Sequence, residues 1–317
     1  METIYFLVQQ TMLFSIPLLL VALGGMFSER SGVVNIALEG IMIIGAFTGI
    51  FFISRFGNLF SPTITLFIAI IISALSGLIF SLLHAYASIN MSADQVISGT
   101  ALNIFAPAFA IYVTRAIQVV QQISFVNNFR IESVPVLGNI PIIGNLLFKN
   151  AYITTYFGFI ILALSWFALY KTRFGLRLRS CGEHPQAADS VGINVYKMRY
   201  FGVAISGALA GIGGLVFVIP TSTNFNATVA GYGFLALAVL IFGQWKPIRI
   251  LYAAFFFGLM KTLASAYSGI PILSNLPISN SVYKMIPYIT TIIVLAFTSK
   301  NSQAPKASGL PYDKSVR

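Results

Sequence analysis

The feature that most constrains this chain is a series of apolar blocks, each about 18 to 24 residues long, separated by short polar breaks. At 1.5 Å of rise per helical residue, a block of that length crosses a hydrocarbon core roughly 30 Å thick. Such blocks must be helices, because lipid offers an unpaired backbone group no partner. Spans are expected near residues 4–27, 33–53, 62–83, 95–116, 152–170, 201–220, 231–244, 250–268 and 284–299. The expectation is therefore an all-α polytopic integral membrane protein with about nine transmembrane helices in a single domain over residues 1–317. The stretch 231–244 is short and flanked by glycines, so it reads as a broken or re-entrant helix, and eight to ten crossings stay open. The first block has no basic leader and no clear cleavage site, and is read as a retained membrane helix.

Composition agrees, since only 9% of the 317 residues are charged against 57% hydrophobic. A soluble chain carries roughly a quarter charged residues. The formal charge of +11 does not point to nucleic acid, because the basic residues fall in short loops and form no stripe. They report orientation instead. Lys171, Arg173, Arg177, Arg179, Lys197, Arg199, Lys246, Arg249, Lys300, Lys306, Lys314, Arg317 and Arg30 fall on one side. Arg55, Arg115, Arg130, Lys149 and Lys284 fall on the other. The positive-inside rule then places the N-terminus outside and the C-terminus, with a tail over 300–317, in the cytoplasm. The lone cysteine, Cys181, excludes an internal disulfide.

Two loops are long. Residues 117–150 lie on the outer side, and Asn127, Asn128, Pro135, Gly138, Pro141 and Gly144 favour an irregular cap over a further crossing. Residues 171–200 lie inside, where Pro185 suits the first turn of a short helix through Ala187, Ala188 and Asp189, with Gly192 as its stop. That helix is either a docking element or a solvated hairpin. Gly207, Ala210, Gly211 and Gly214 place small residues along one side of the following span, as close helix packing requires.

Ionisable groups inside spans are costly, which draws attention to Glu39, about a turn after Asn35, and to Lys261. A pair between these two is conceivable, and Glu39 is either a structural cap or part of a substrate path. Thr100 and Asn103 share a helix face, and with Asn35 and Glu39 they form the substrate-path candidates. Asn224, Asn226 and Thr228 lie where the sixth span ends outside, and amides and hydroxyls suit a neutral polyhydroxylated or heterocyclic solute. Asp94, beside Ser92, is read as a helix N-terminal residue. The sequence contains no G-x-x-x-x-G-K-[ST] phosphate loop, so the chain is not itself an ATP-hydrolysing subunit. His84 and His184 lie apart without clustered acids, and no metal site or cofactor is expected in this chain.

Four stretches, in order, carry a resemblance: SGVVNIALEGIMIIGAF (31–47), ADQVISGTALNIFA (93–106), the inner loop with FGVAISGALAGIGG (201–214), and GQWKPIRILYAAFFFG (243–258). Together they resemble permease subunits of bacterial ABC importers in the ribose, nucleoside and branched-chain amino-acid group, closest to the nucleoside or simple-sugar branch. The resemblance implies a non-catalytic transport subunit in the bacterial cytoplasmic membrane. It implies as partners an ABC ATPase subunit that binds ATP and Mg, a second homologous permease and an extracellular or periplasmic solute-binding protein, with membrane lipid around it. It also implies that Gly182, Glu183, Pro185, Ala187, Ala188 and Gly192 form the coupling element that contacts the ATPase subunit. A sugar or branched-chain amino-acid importer stays open. Two other classes do too: an ion-coupled secondary transporter using Glu39 or Asp94, and a polytopic membrane enzyme, which would need a cluster of acids or histidines at one face.

Overall fold

The computed structural model describes residues 2–126, 128–134, 138, 140–141, 144–267, 279–298 and 303–314. Asn127, Pro135, Lys300 and Arg317 lie outside the described residues, as do the last residues expected in the eighth and ninth spans, 268 and 299. Among the described residues the helices are α1 Glu2–Arg30, α2 Leu38–Phe56, α3 Pro62–Ile89, α4 Gln95–Gln118, α5 Ile153–Lys171, α6 Arg173–Glu183, α7 Pro185–Ser190, α8 Val195–Thr221, α9 Tyr232–Phe242, α10 Pro247–Ala266 and α11 Asn280–Thr298. Seven of these, α1 to α5, α8 and α10, are long and apolar enough to cross a membrane, and α9 and the apolar part of α11 are shorter.

α8 is the axis of the bundle, packed against α1, α2 and α3. Its small residues make that packing possible. A Cβ on Gly211 would run into the Ser73 carbonyl of α3, and one on Gly214 into the Met42 carbonyl of α2. Without a hydrophobic drive between helices in lipid, such close backbone approach supplies the dispersion contacts that hold them.

One helix is short and another is preceded by an irregular approach. After α1 ends at Arg30, residues 31–37 form two turns around a short irregular stretch before α2 begins. At the opposite end, residues 222–231 descend from α8 before α9 begins, and α9, with 11 residues, rises only about 16 Å. Both starts lie against α8: Asn35, just before α2, bonds Ser206 in its middle, and the Tyr232 ring at the start of α9 lies 4.0 Å from that of Phe217 nearer its end. The short seventh element expected from sequence is thus a half-helix. The second span starts at Leu38 rather than near 33, because the intervening backbone is tied to side chains and cannot coil.

The two ends of the bundle differ. One carries a cap of two antiparallel ribbons: β1 Ile123–Ser124 with β4 Asn224–Phe225, and β2 Arg130–Ser133 with β3 Lys149–Tyr152. Residues 117–150 contribute β1, β2 and the first half of β3 to these ribbons, with a π-helical turn, Gly144–Phe148, and among the described residues no further crossing. The other end carries α6, α7 and the segment 303–314. The stretch 171–200 is mostly helical, and α8 begins earlier than expected, so Lys197 and Arg199 lie on a helix and Arg199 is buried.

Candidate coupling element and half-helix junction

Glu39 stands in the first turn of α2, where its charge suits the helix dipole, and reaches the first turn of α9. Its carboxylate accepts the Gly231 amide at 2.9 Å and the Gly233 amide at 2.6 Å. A Cβ on Gly233 would meet the Glu39 backbone, so glycine there is what lets the two helix starts touch. Two helix N-termini, each equivalent to about half a positive charge, are balanced by this one carboxylate.

The irregular segment below it is satisfied by side chains. Gln95 accepts from the Val34 amide at 2.7 Å, His84 bonds the Val34 carbonyl at 2.9 Å, and the Asn103 amide donates to the Ile36 carbonyl at 2.8 Å. The Asn103 oxygen also accepts from the Gly40 amide at 2.7 Å. Asn35 donates to Ser206 at 2.9 Å and accepts from the Ala37 amide at 3.1 Å. Non-helical backbone persists at membrane depth only when protein buries it in this way. Thr100 is exposed on α4, its hydroxyl donating to the Val96 carbonyl. Asp94 caps α4 as expected, accepting from the Val96 and Ile97 amides. Lys261 does not pair with Glu39: its ammonium lies 5.7 Å from the ring centre of Tyr232, the residue between the two capped glycines.

Beyond the junction, residues 224–230 alternate. Phe225, Ala227 and Val229 are buried, while Asn224, Asn226 and Thr228 share an exposed polar face. Asn224 also lines an open cavity of about 610 Å³ with Arg115, Gln121, Gln122 and Ser124.

At the other end, α7 forms as the sequence predicts, with Pro185 at its start and Gly192 at φ +83° after it. Its residues divide by direction. Pro185 and Ala188 are buried behind the helix, whereas Gln186, Ala187, Ser190, Val191 and Gly192 are exposed. Gly182 is packed so closely that a Cβ would strike the Arg30 carbonyl, and Glu183 pairs with Arg30 at 3.6 Å. Cys181 is buried beneath, and burial pushes its thiol above the usual range.

Three features escaped the sequence. Glu29, in an ordinary Ser-Glu-Arg run, is buried and accepts the Trp245 indole N–H at 2.6 Å. Gln244 and Trp245, in the α9–α10 turn, both adopt left-handed φ, a strained state for residues other than glycine. Segment 303–314 buries Ala307 and Tyr312 although its composition reads as a free tail.

A polytopic helical bundle in which a half-helix starts against a carboxylate of a neighbouring helix has the features of a membrane transport protein. The family described as branched-chain amino acid transport system / permease component matches residues 7–295, and the chain belongs to it. The chain is 42% identical to the nucleoside ABC transporter permease protein NupC of Lactococcus lactis, over 99% of this chain and 98% of that one. It is 44% identical to the guanosine ABC transporter permease protein NupQ of Bacillus subtilis, over 98% and 97%. A putative glucose ABC transporter permease protein, TsgC13 of Haloferax volcanii, is 29% identical over 88% and 87%. No solved structure matches the chain.

Proposed function

We propose that this chain is the membrane subunit of an ATP-driven importer of nucleosides, working by alternating access with a second permease, an ABC ATPase pair and a solute-binding protein. ATP and Mg belong to the ATPase partner in this reading. The observation that carries it is near-full-length similarity to two permeases whose names state nucleoside or guanosine transport. The orientation that fits has the α6–α7 end in the cytoplasm, since the Lys and Arg residues from 171 to 199 gather there.

Solute enters at the capped end and meets the amide and hydroxyl face of Asn224, Asn226 and Thr228, groups suited to a neutral base and ribose. Asn35, Glu39 and Asn103 shape that path by holding the starts of α2 and the half-helix α9, while Thr100 presents its side chain on the exposed flank of α4. The ATPase docks on Ala187, Gly192 and their exposed neighbours. Gly182, Glu183, Pro185 and Ala188 brace that surface from behind, so ATPase closure moves α7 as a rigid body against α1.

The test is uptake by the assembled complex, with labelled guanosine competed by other nucleosides, ribose, glucose and branched-chain amino acids. Nucleoside competition with strict dependence on ATP is expected. Competition by sugars alone overturns the substrate, and uptake driven by an ion gradient without ATPase overturns the mechanism. Because Cys181 is buried, Ser190→Cys is the better topological reporter. It should react only after permeabilisation and be protected by bound ATPase subunit; reaction from outside intact cells refutes the orientation.

A further inference from the structure

The segment 303–314 touches the α9–α10 turn, α6, α7 and the chain just after α1. Its Gln303 amide donates to the Gln244 side chain at 2.8 Å, at the strained α9–α10 turn. The Ala307 amide donates to the Gly182 carbonyl at 2.9 Å, next to α7. The Gly309 amide donates to the Gly32 carbonyl at 3.2 Å, where the chain leaves α1 for the irregular segment. Tyr312 packs with Cys181, Ala188 and Val195, and its ring meets that of Tyr196 edge-on at 5.4 Å.

Arg199 anchors this arrangement. It is 1% exposed, and its hydrogen bond among the described residues runs from Nη1 to the Leu310 carbonyl at 3.0 Å. Its Nε and Nη2 find no partner there, and the guanidinium lies 5.9 Å from the Tyr312 ring centre and close against Gly32. Gly32 has φ +98° and no side chain to push the guanidinium away. A buried cation with one hydrogen bond is costly, because pairing and further hydrogen bonds are what offset its desolvation.

We propose that residues 303–314 are a transmission strap and that Arg199 is its positioning residue. The strap links α7 to the segment before α2 and to the turn after α9, so displacement of α7 reaches α2 and α9 together. This rests on the importer reading and adds to it a route by which the ATPase stroke arrives at the junction held by Glu39.

The experiment compares wild type, a chain ending after residue 302, Tyr312→Ala and Arg199→Ala in complexes assembled with ATPase and second permease. Three readouts are taken: co-purification with the ATPase, ATP hydrolysis and solute uptake. The strap predicts that truncation and Tyr312→Ala keep association and hydrolysis within about twofold while uptake falls about tenfold, as expected for loss of a typical coupling free energy. Arg199→Ala follows the same pattern. Unchanged uptake in the truncated chain and in Tyr312→Ala overturns the proposal. So does a parallel fall of association and uptake in both, which would make the segment an assembly element. Wild-type complex without ATP-driven uptake refutes the importer reading itself, and the strap with it.

Discussion

The two ends of α9 are each held by a buried glutamate, and they are held differently. At its start, Glu39 accepts two main-chain amides, Gly231 and Gly233. Past its end, Glu29 takes a single bond from the Trp245 indole, while Arg30 donates to the Trp245 carbonyl at 3.1 and 3.3 Å. Main-chain donors cannot be exchanged by mutation or turned away by a rotamer, so the first end is a fixed joint. The second depends on side chains around a turn with two left-handed residues, Gln244 and Trp245, each of which costs about 1–3 kcal/mol. Ala227 and Ala230 before α9 are left-handed too, so the ends differ in the kind of donor that holds them and not in backbone strain. If the proposed stroke of α7 reaches α9, the end held by side chains is the one expected to give.

The comparison is broken most severely by Glu39→Ala. It leaves two amides without an acceptor in a setting that excludes water, at about 1–3 kcal/mol each. A marked fall in thermal midpoint in detergent, together with loss of uptake, is expected. Trp245→Phe keeps an aromatic ring, though a smaller one, and takes the donor from Glu29, for about 1.5–3 kcal/mol, a smaller loss of stability. Because it loosens the end held by side chains, uptake should change by more than stability does. Equal drops in midpoint for the two variants would show that the ends are alike.

Much of this fold can be read in the sequence, because lipid allows so few backbone solutions: nine apolar blocks, the short one at 231–244, the cap over 117–150 and the helix after Pro185 all appear near their expected places. Glu39 also stands out, since a carboxylate between Leu38 and Gly40 in an apolar block has few explanations. Glu29 does not. It sits beside Arg30 at a helix end, where a charge is ordinary, and its burial comes from Trp245, 216 residues away in sequence. The unwinding of residues 31–37 is hidden for the same reason: Val33, Val34 and Ile36 read as apolar span, and only His84, Gln95 and Asn103 from other helices make the irregular backbone stable. The burial of Arg199 and Tyr312 is likewise a tertiary fact, in a region whose charge and polarity suggest solvent. For the candidate site, sequence identifies the residue types on the Asn224–Thr228 face but not the alternation that exposes them together.

The smallest loss of stability sharpens the comparison most at the fixed end. Lys261 contributes nothing to the capping of α9; its described contact is the Tyr232 ring, and such a contact is worth about 0.5–2 kcal/mol. Removing a cation from a membrane-spanning helix also relieves a cost of up to about 2.5–3.5 kcal/mol, so Lys261→Met should not lower the thermal midpoint. If the junction is only a joint, uptake is unchanged. If solute passes beside Tyr232 on its way from the Asn224–Thr228 face, Lys261→Met alters the apparent affinity for solute while ATP hydrolysis holds. A shift in affinity without a lower midpoint would make the fixed end part of the path; a shift in affinity with a lower midpoint would mean that Lys261 helps hold the half-helix after all, and that the cap on Gly231 and Gly233 is not sufficient by itself.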